Sequence, residues 1–165
     1  MKPILQIIKT HLTEHEVNSY SLNDESILGA SITLTHLALP LFFTSDDEEE
    51  SISISGRLPN RVPLDRRPSV AEFLGRINWG LNRGRFLMDH RDGELCFQID
   101  IDAHNGELDL PRLAQFILLC LQTVDGFYPA LMSVIYRDAH PEQAVEQGEA
   151  EFMKLTTKKR DKETE

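Results

Sequence analysis

Asp100, Asp102 and His104 stand two residues apart, so in a continuous strand all three side chains share one face. Two carboxylates and an imidazole so placed could form part of a metal site or support acid–base chemistry. Glu94 and Gln98 lie on that same side, opposite Leu95, Phe97, Ile99 and Ile101, which is also the pattern of a strand with one face in water. Asn105-Gly106 further signals that the strand has turned by His104. Asp89, His90 and Asp92 flank another turn, where aspartates accept hydrogen bonds from the local backbone. His11 and His15 have a chelating spacing but lack the adjacent Glu and third ligand of a zinc-protease motif. Cys96 and Cys120 have no metal-like spacing and read as ordinary thiols of a reducing compartment. No glycine-rich phosphate loop, G-x-S-x-G elbow or C-x-x-C pair occurs. The residues therefore predict no catalytic group, no metal and no cofactor. The Asp100/Asp102/His104 face supports the alternative of a small-ligand or metal-binding protein or enzyme.

The elements that would position these groups are well marked. Pro3 suits the first turn of a helix whose apolar stripe is Ile4, Leu5, Ile7, Ile8 and Leu12. Asn18 to Ser26 is polar and turn-like, after which Ile27–Thr35 and Leu37–Phe43 alternate as two strands. Pro40 directs the second of these to a sheet edge or a bulge. The acidic run Asp46–Glu50 reads as a solvated hairpin tip before the strictly alternating Ser51–Ser55. Gly56–Arg67 is a connection carrying Arg57, Arg61, Arg66 and Arg67, a basic strip able to pair with that tip.

Ser69 and Glu72 have capping-box spacing ahead of Val70, Phe73, Leu74, Ile77 and Leu81, with Gly84 placed to stop the helix. Arg85–Asp89 and Leu95–Ile101 form a hairpin about Asp92-Gly93. A helix starts at Leu108–Pro111 and carries Leu113, Phe116, Ile117, Cys120, Leu121 and Val124. Asp125-Gly126 interrupts it, and Pro129 breaks or restarts it before Leu131, Val134 and Ile135. Pro141 opens a last segment with Ala144, Val145 and Phe152. The expected fold is α+β, an antiparallel sheet packed by helices in the order α-β-β-β-α-β-β-α(α). It forms one domain over residues 1–153, followed by a charged, disordered tail at 154–165.

With 165 residues, 41% of them hydrophobic, the chain can build one core. Its 27 acidic residues against 17 basic ones leave a net charge of -10, which repels nucleic-acid backbones and anionic membranes. The basic strip has no interleaved aromatics, so no nucleic acid and no membrane is expected as a partner. Met1–Gln6 lacks the apolar core of a signal peptide, and the expected location is cytoplasmic.

From about Arg61 to Glu146 the chain resembles the YbjN family of bacterial sensory transduction regulators. The resemblance rests on Arg76-Ile77-Asn78 followed by Leu81, Gly84-Arg85-Phe86 running to Asp89, and Asp92-Gly93-Glu94-Leu95. It continues in Asp125, Tyr128-Pro129-Ala130-Leu131 and His140-Pro141-Glu142-Gln143-Ala144. It implies a fold similar to type III secretion chaperones, whose members commonly pair as dimers and hold extended partner segments on apolar patches. It supplies no catalytic residues, and fold likeness alone does not assign a function.

The function expected is a non-enzymatic protein-interaction module, regulatory or chaperone-like, that binds another protein or peptide segment and can form a homodimer. Leu39, Leu41 and Phe43 are candidates as an apolar edge strand that something must cover. Trp79 lies off the Phe73–Ile77–Leu81 stripe and is a candidate anchor, as are Phe127 and Tyr128; each could instead be structural.

Overall fold

Alternating apolar residues in four consecutive segments pair into a meander, and the central hairpin then joins its far side. In the computed structural model, which describes residues 1–46, 51–103 and 108–162, the elements are α1 (Pro3–Glu14), β1 (Ser19–Leu22), β2 (Ile27–Thr33), β3 (Ala38–Asp46) and β4 (Ser51–Arg57). A short 3₁₀ turn at Leu64–Arg66 leads into α2 (Arg67–Gly80), β5 (Arg85–Met88), β6 (Leu95–Asp102), α3 (Leu110–Tyr136) and α4 (Pro141–Lys162). The six strands form one antiparallel sheet in the order β1-β2-β3-β4-β6-β5. The α+β class and helix–strand order match expectation, with one strand more: the polar Asn18–Ser26 segment contributes β1, and its turn is confined to the residues after Leu22.

One face of the sheet is the core face. Leu28, Ala30, Leu39, Leu41, Phe43, Ile52, Ile54, Phe97 and Ile99 are buried there, while Ser31, Thr33, Arg57 and Asp100, on the opposite parity, are exposed. Helix α1 packs on β1–β3 through Ile4, Leu5, Ile8 and Leu12. Helix α3 packs on β4 and β6, α2 packs on β5 and α3, and α4 lies outside both α2 and α3. By length and composition α3 would span a bilayer, yet its apolar residues make the centre of this core.

Long-range partners overturn several local expectations. Strand β3 is interior, flanked by β2 and β4, so Leu37–Phe43 is not an edge. Pro40 is tolerated because the β3–β4 ladder extends only to Leu41, leaving no ladder partner for it on that side. Helix α2 starts at Arg67, before Ser69, and makes no side-chain cap, so the capping box does not form; Glu72 instead meets Arg76 at 3.0 Å. Gly84 does not end that helix, which stops at Gly80. Gly84 takes φ +73° on the way into β5, where a Cβ would lie 2.5 Å from the Phe97 ring.

Helix α3 runs unbroken through Asp125, Gly126 and Pro129. Proline removes the N–H that the Asp125 carbonyl would otherwise accept, and the ring of His36 fills the gap, its Nδ1 3.1 Å from that oxygen. The buried Asp125 carboxylate also accepts from the backbone N–H groups of Thr35 (3.1 Å) and His36 (2.8 Å), tying the β2–β3 turn to α3. Helix α4 continues to Lys162, so the tail expected from Lys154 is helical through that residue, and 163–165 lie outside the described residues.

Candidate interaction site

Of the Asp100/Asp102/His104 face, the side chain of Asp100 alone has structural partners among the described residues. Asp100 accepts hydrogen bonds from Ser53 (2.7 Å), Gln98 (2.8 Å) and Arg85 (2.9 Å). Partial burial raises its carboxyl, but those three donors outweigh it and hold the carboxyl below its ordinary value. Asp102 is exposed at the end of β6, and His104 lies outside the described residues, as do 47–50 of the acidic run. Among the described residues no group of three or more His, Cys, Asp or Glu is placed to hold a metal ion.

Asp89 and Asp92 serve the hairpin turn. Asp89 accepts from the backbone and guanidinium of Arg91, and Asp92 from the backbone of Glu94 and from Arg61. The exposed His90 contributes its carbonyl to Arg67 at 2.9 Å. His15 ends α1 with Nδ1 2.9 Å from the His11 carbonyl, so that pair closes a helix end. Burial pushes both thiols up, that of Cys120 to about 12, which makes them poor nucleophiles.

Four of the six candidate partner-binding residues are buried in the interior, and a fifth is half-buried. Leu39, Leu41 and Phe43 have no exposed surface, because β3 has neighbours on both sides and α1 on its core face. Phe127 is buried, stacked on Phe152 (5.9 Å between centroids) and edge-on to Phe86 (6.1 Å). Tyr128 is half-buried, and its hydroxyl donates to Asn60 Oδ1 at 2.6 Å, fastening α3 to the β4–α2 connection.

Trp79 is different. Its ring is 93% exposed, on the last turn of α2. Val70, Phe73, Leu74 and Ile77 turn inward from that helix, leaving Glu72, Gly75, Arg76 and Trp79 on the outer face at helical spacing. Asn78 fixes the helix end. Its side-chain amide donates to the Phe86 carbonyl (2.9 Å) and accepts from the Phe86 N–H (2.8 Å), which also shields part of the β5 edge.

The outer face of α2 meets α4 in an open groove of about 500 Å³ lined by Glu72, Gly75, Arg76, Trp79, Glu142, Val145 and Glu146. Gly75 and Val145 supply the apolar part, and nothing lies within 4 Å of where a Gly75 Cβ would stand. The α4 contribution was missed in the sequence, although Glu142, Val145 and Glu146 share one helical face at i, i+3 and i+4.

An antiparallel sheet covered on one face by helices places the protein in the α+β class. Its fold is that of the crystal structure of YbjN from E. coli, to which it is similar with a TM-score of 0.53 over 94% of this chain and 93% of that chain, at 11% identity. The chain belongs to the YbjN family, described as "Putative bacterial sensory transduction regulator", whose sequence profile matches residues 5–133. No curated protein sequence matches it.

Proposed function

We propose that this YbjN-family protein carries out a regulatory role by docking a polypeptide segment in the α2–α4 groove, with Trp79 as the anchor. The carrying observation is the 93% exposure of the only tryptophan in the chain, on a helix whose other large apolar residues are buried. A large aromatic ring in water beside a groove provides apolar area whose burial drives association, and tryptophan is among the side chains most often dominant at interfaces. Packing into a groove fits this surface better than strand addition. Both sheet edges, β1 and β5, are only four residues long, and Asn78 occupies backbone groups of β5.

The test is affinity capture from the native cell with tagged wild-type, Trp79→Ala and Leu64→Ala proteins, quantified by mass spectrometry. Leu64 is also exposed but lies outside the groove, so it controls for nonspecific loss of apolar surface. A bound protein depleted by Trp79→Ala and retained by Leu64→Ala is the expected result. Identical bound sets for all three proteins would contradict the reading.

A further inference from the structure

Resting on that docking site, we infer the chemistry of its occupant: a basic amphipathic segment of a different protein. Its apolar side would lie on Trp79, Gly75 and Val145, and its lysines or arginines would meet Glu142, Glu146 and Glu149.

The groove is acidic in a way its own residues do not cancel. Arg76 is the one basic side chain lining it among the described residues, and it is shared between Glu72 at 3.0 Å and Glu142 at 3.8 Å. Glu146 lines the same groove. Glu149, one turn of α4 further on, brings Oε1 to 4.0 Å from where a Gly80 Cβ would stand, beside Trp79 at the α2 terminus. That terminus adds to the field, because α2 has no basic residue in its last turn to offset the partial negative charge of its final carbonyls. A cation brought there gains from the carboxylates and the helix end together, while a lysine or arginine stem covers the indole face.

A second copy of this chain, with its net charge of -10, is repelled as a whole by an acidic groove, and the arginines of its basic connection are occupied. Arg61 is bound to Asp92 and Glu94, Arg66 to Asp138 and the Val134 carbonyl, and Arg67 to the Val62 and His90 carbonyls. The arginine-rich connection therefore works inside its own fold, and charge complementarity points to another polypeptide.

Trp79 itself reads out the test, since its emission moves to shorter wavelength when the ring leaves water. Three amphipathic peptides sharing a leucine face, with lysine, glutamine or glutamate on the polar face, are titrated into the full-length protein. The titrations are repeated with Glu146→Gln/Glu149→Gln and with Glu14→Gln/Glu16→Gln, which removes the same charge from the distant end of α1. The inference expects the lysine-faced peptide to shift the emission and bind best, with affinity about tenfold weaker for the first double variant and unchanged for the second.

Equal weakening in both double variants would show only general attraction to an acidic protein and would overturn the inference. A glutamine-faced peptide that binds as well, with the same shift, would overturn the basic chemistry and leave the docking site standing. An emission unmoved by all three peptides would also overturn it. Failure of the docking reading is scored separately, as identical captured sets in the Trp79→Ala experiment.

Discussion

Helix α4 packs against two neighbours, and the glycines at the two junctions have opposite surroundings. Against α3 the glycines sit in close contact, although a groove of about 470 Å³ opens beside them between His36, Gly126, Pro129, Ala130, Gln147 and Glu151. A Cβ on Gly148 would stand 2.4 Å from the Phe127 ring, and one on Gly126 would stand 2.7 Å from the Phe152 backbone, so both glycines are required by close approach. Against α2, Gly75 faces empty space beside an exposed tryptophan. A glycine inside a helix costs about 0.5–1 kcal/mol relative to alanine. At the α3 junction that cost is offset by packing; at Gly75 no described atom outside its own helix lies within 4 Å of a Cβ to offset it. The contrast separates glycines that the protein's own packing requires from one that it does not.

Substitutions can break that contrast. Phe127→Ala should have the largest effect, destabilising by about 3–5 kcal/mol through loss of a buried ring and the cavity left behind. Trp79→Ala should change stability by no more than about 0.5 kcal/mol, because the ring is already in water. Urea denaturation of both variants checks the pair, and similar losses would erase the distinction between core and docking aromatic.

Asp125→Ala should cost about 2–3 kcal/mol by the same measurement, since the N–H groups of Thr35 and His36 lose their acceptor. Gly148→Ala should destabilise by about 1–3 kcal/mol through overpacking against Phe127. Gly75→Ala should stabilise by about 0.5–1 kcal/mol, with no clash to oppose it. If Gly75→Ala destabilised as much as Gly148→Ala, the groove would not be open.

Much of this architecture was legible in local pattern. The stripe of α1, the alternation in β2, β4 and β6, and the Asp92-Gly93 turn each depend on near neighbours, and each appears where the residues place it. What local pattern could not show was decided by distant contacts. An apolar alternating strand looks the same at an edge or in the middle of a sheet, and only the pairing of β3 with both β2 and β4 buries Leu39, Leu41 and Phe43. Pro129 carries the signature of a helix break, but His36, far away in sequence, meets the carbonyl it frees. Trp79 was readable as off the buried stripe because its position depends only on helical phase. Its acidic surroundings were not, since α4 supplies most of them from far along the chain.

The smallest expected effect belongs to the hairpin turn, outside both junctions. The side chain of Arg91, then its backbone N–H, draws the Asp89 carboxyl down to about 2 from an ordinary 3.8. Its folded value is depressed, so its contribution to stability is fully present above pH 3.8 and is lost as the pH falls toward 2. Carboxyl chemical shifts followed by NMR should show Asp89 titrating in that low range. Titration at the ordinary value would mean that the Arg91 contacts do not persist in solution.

The docking claim is tested most directly by placing a photoreactive aromatic amino acid at position 79 in the native cell, with position 64 as the exposed control. The account predicts discrete polypeptide adducts at position 79 that are absent at position 64. Irradiation that yields no adduct at 79, or the same adducts at both positions, would contradict it.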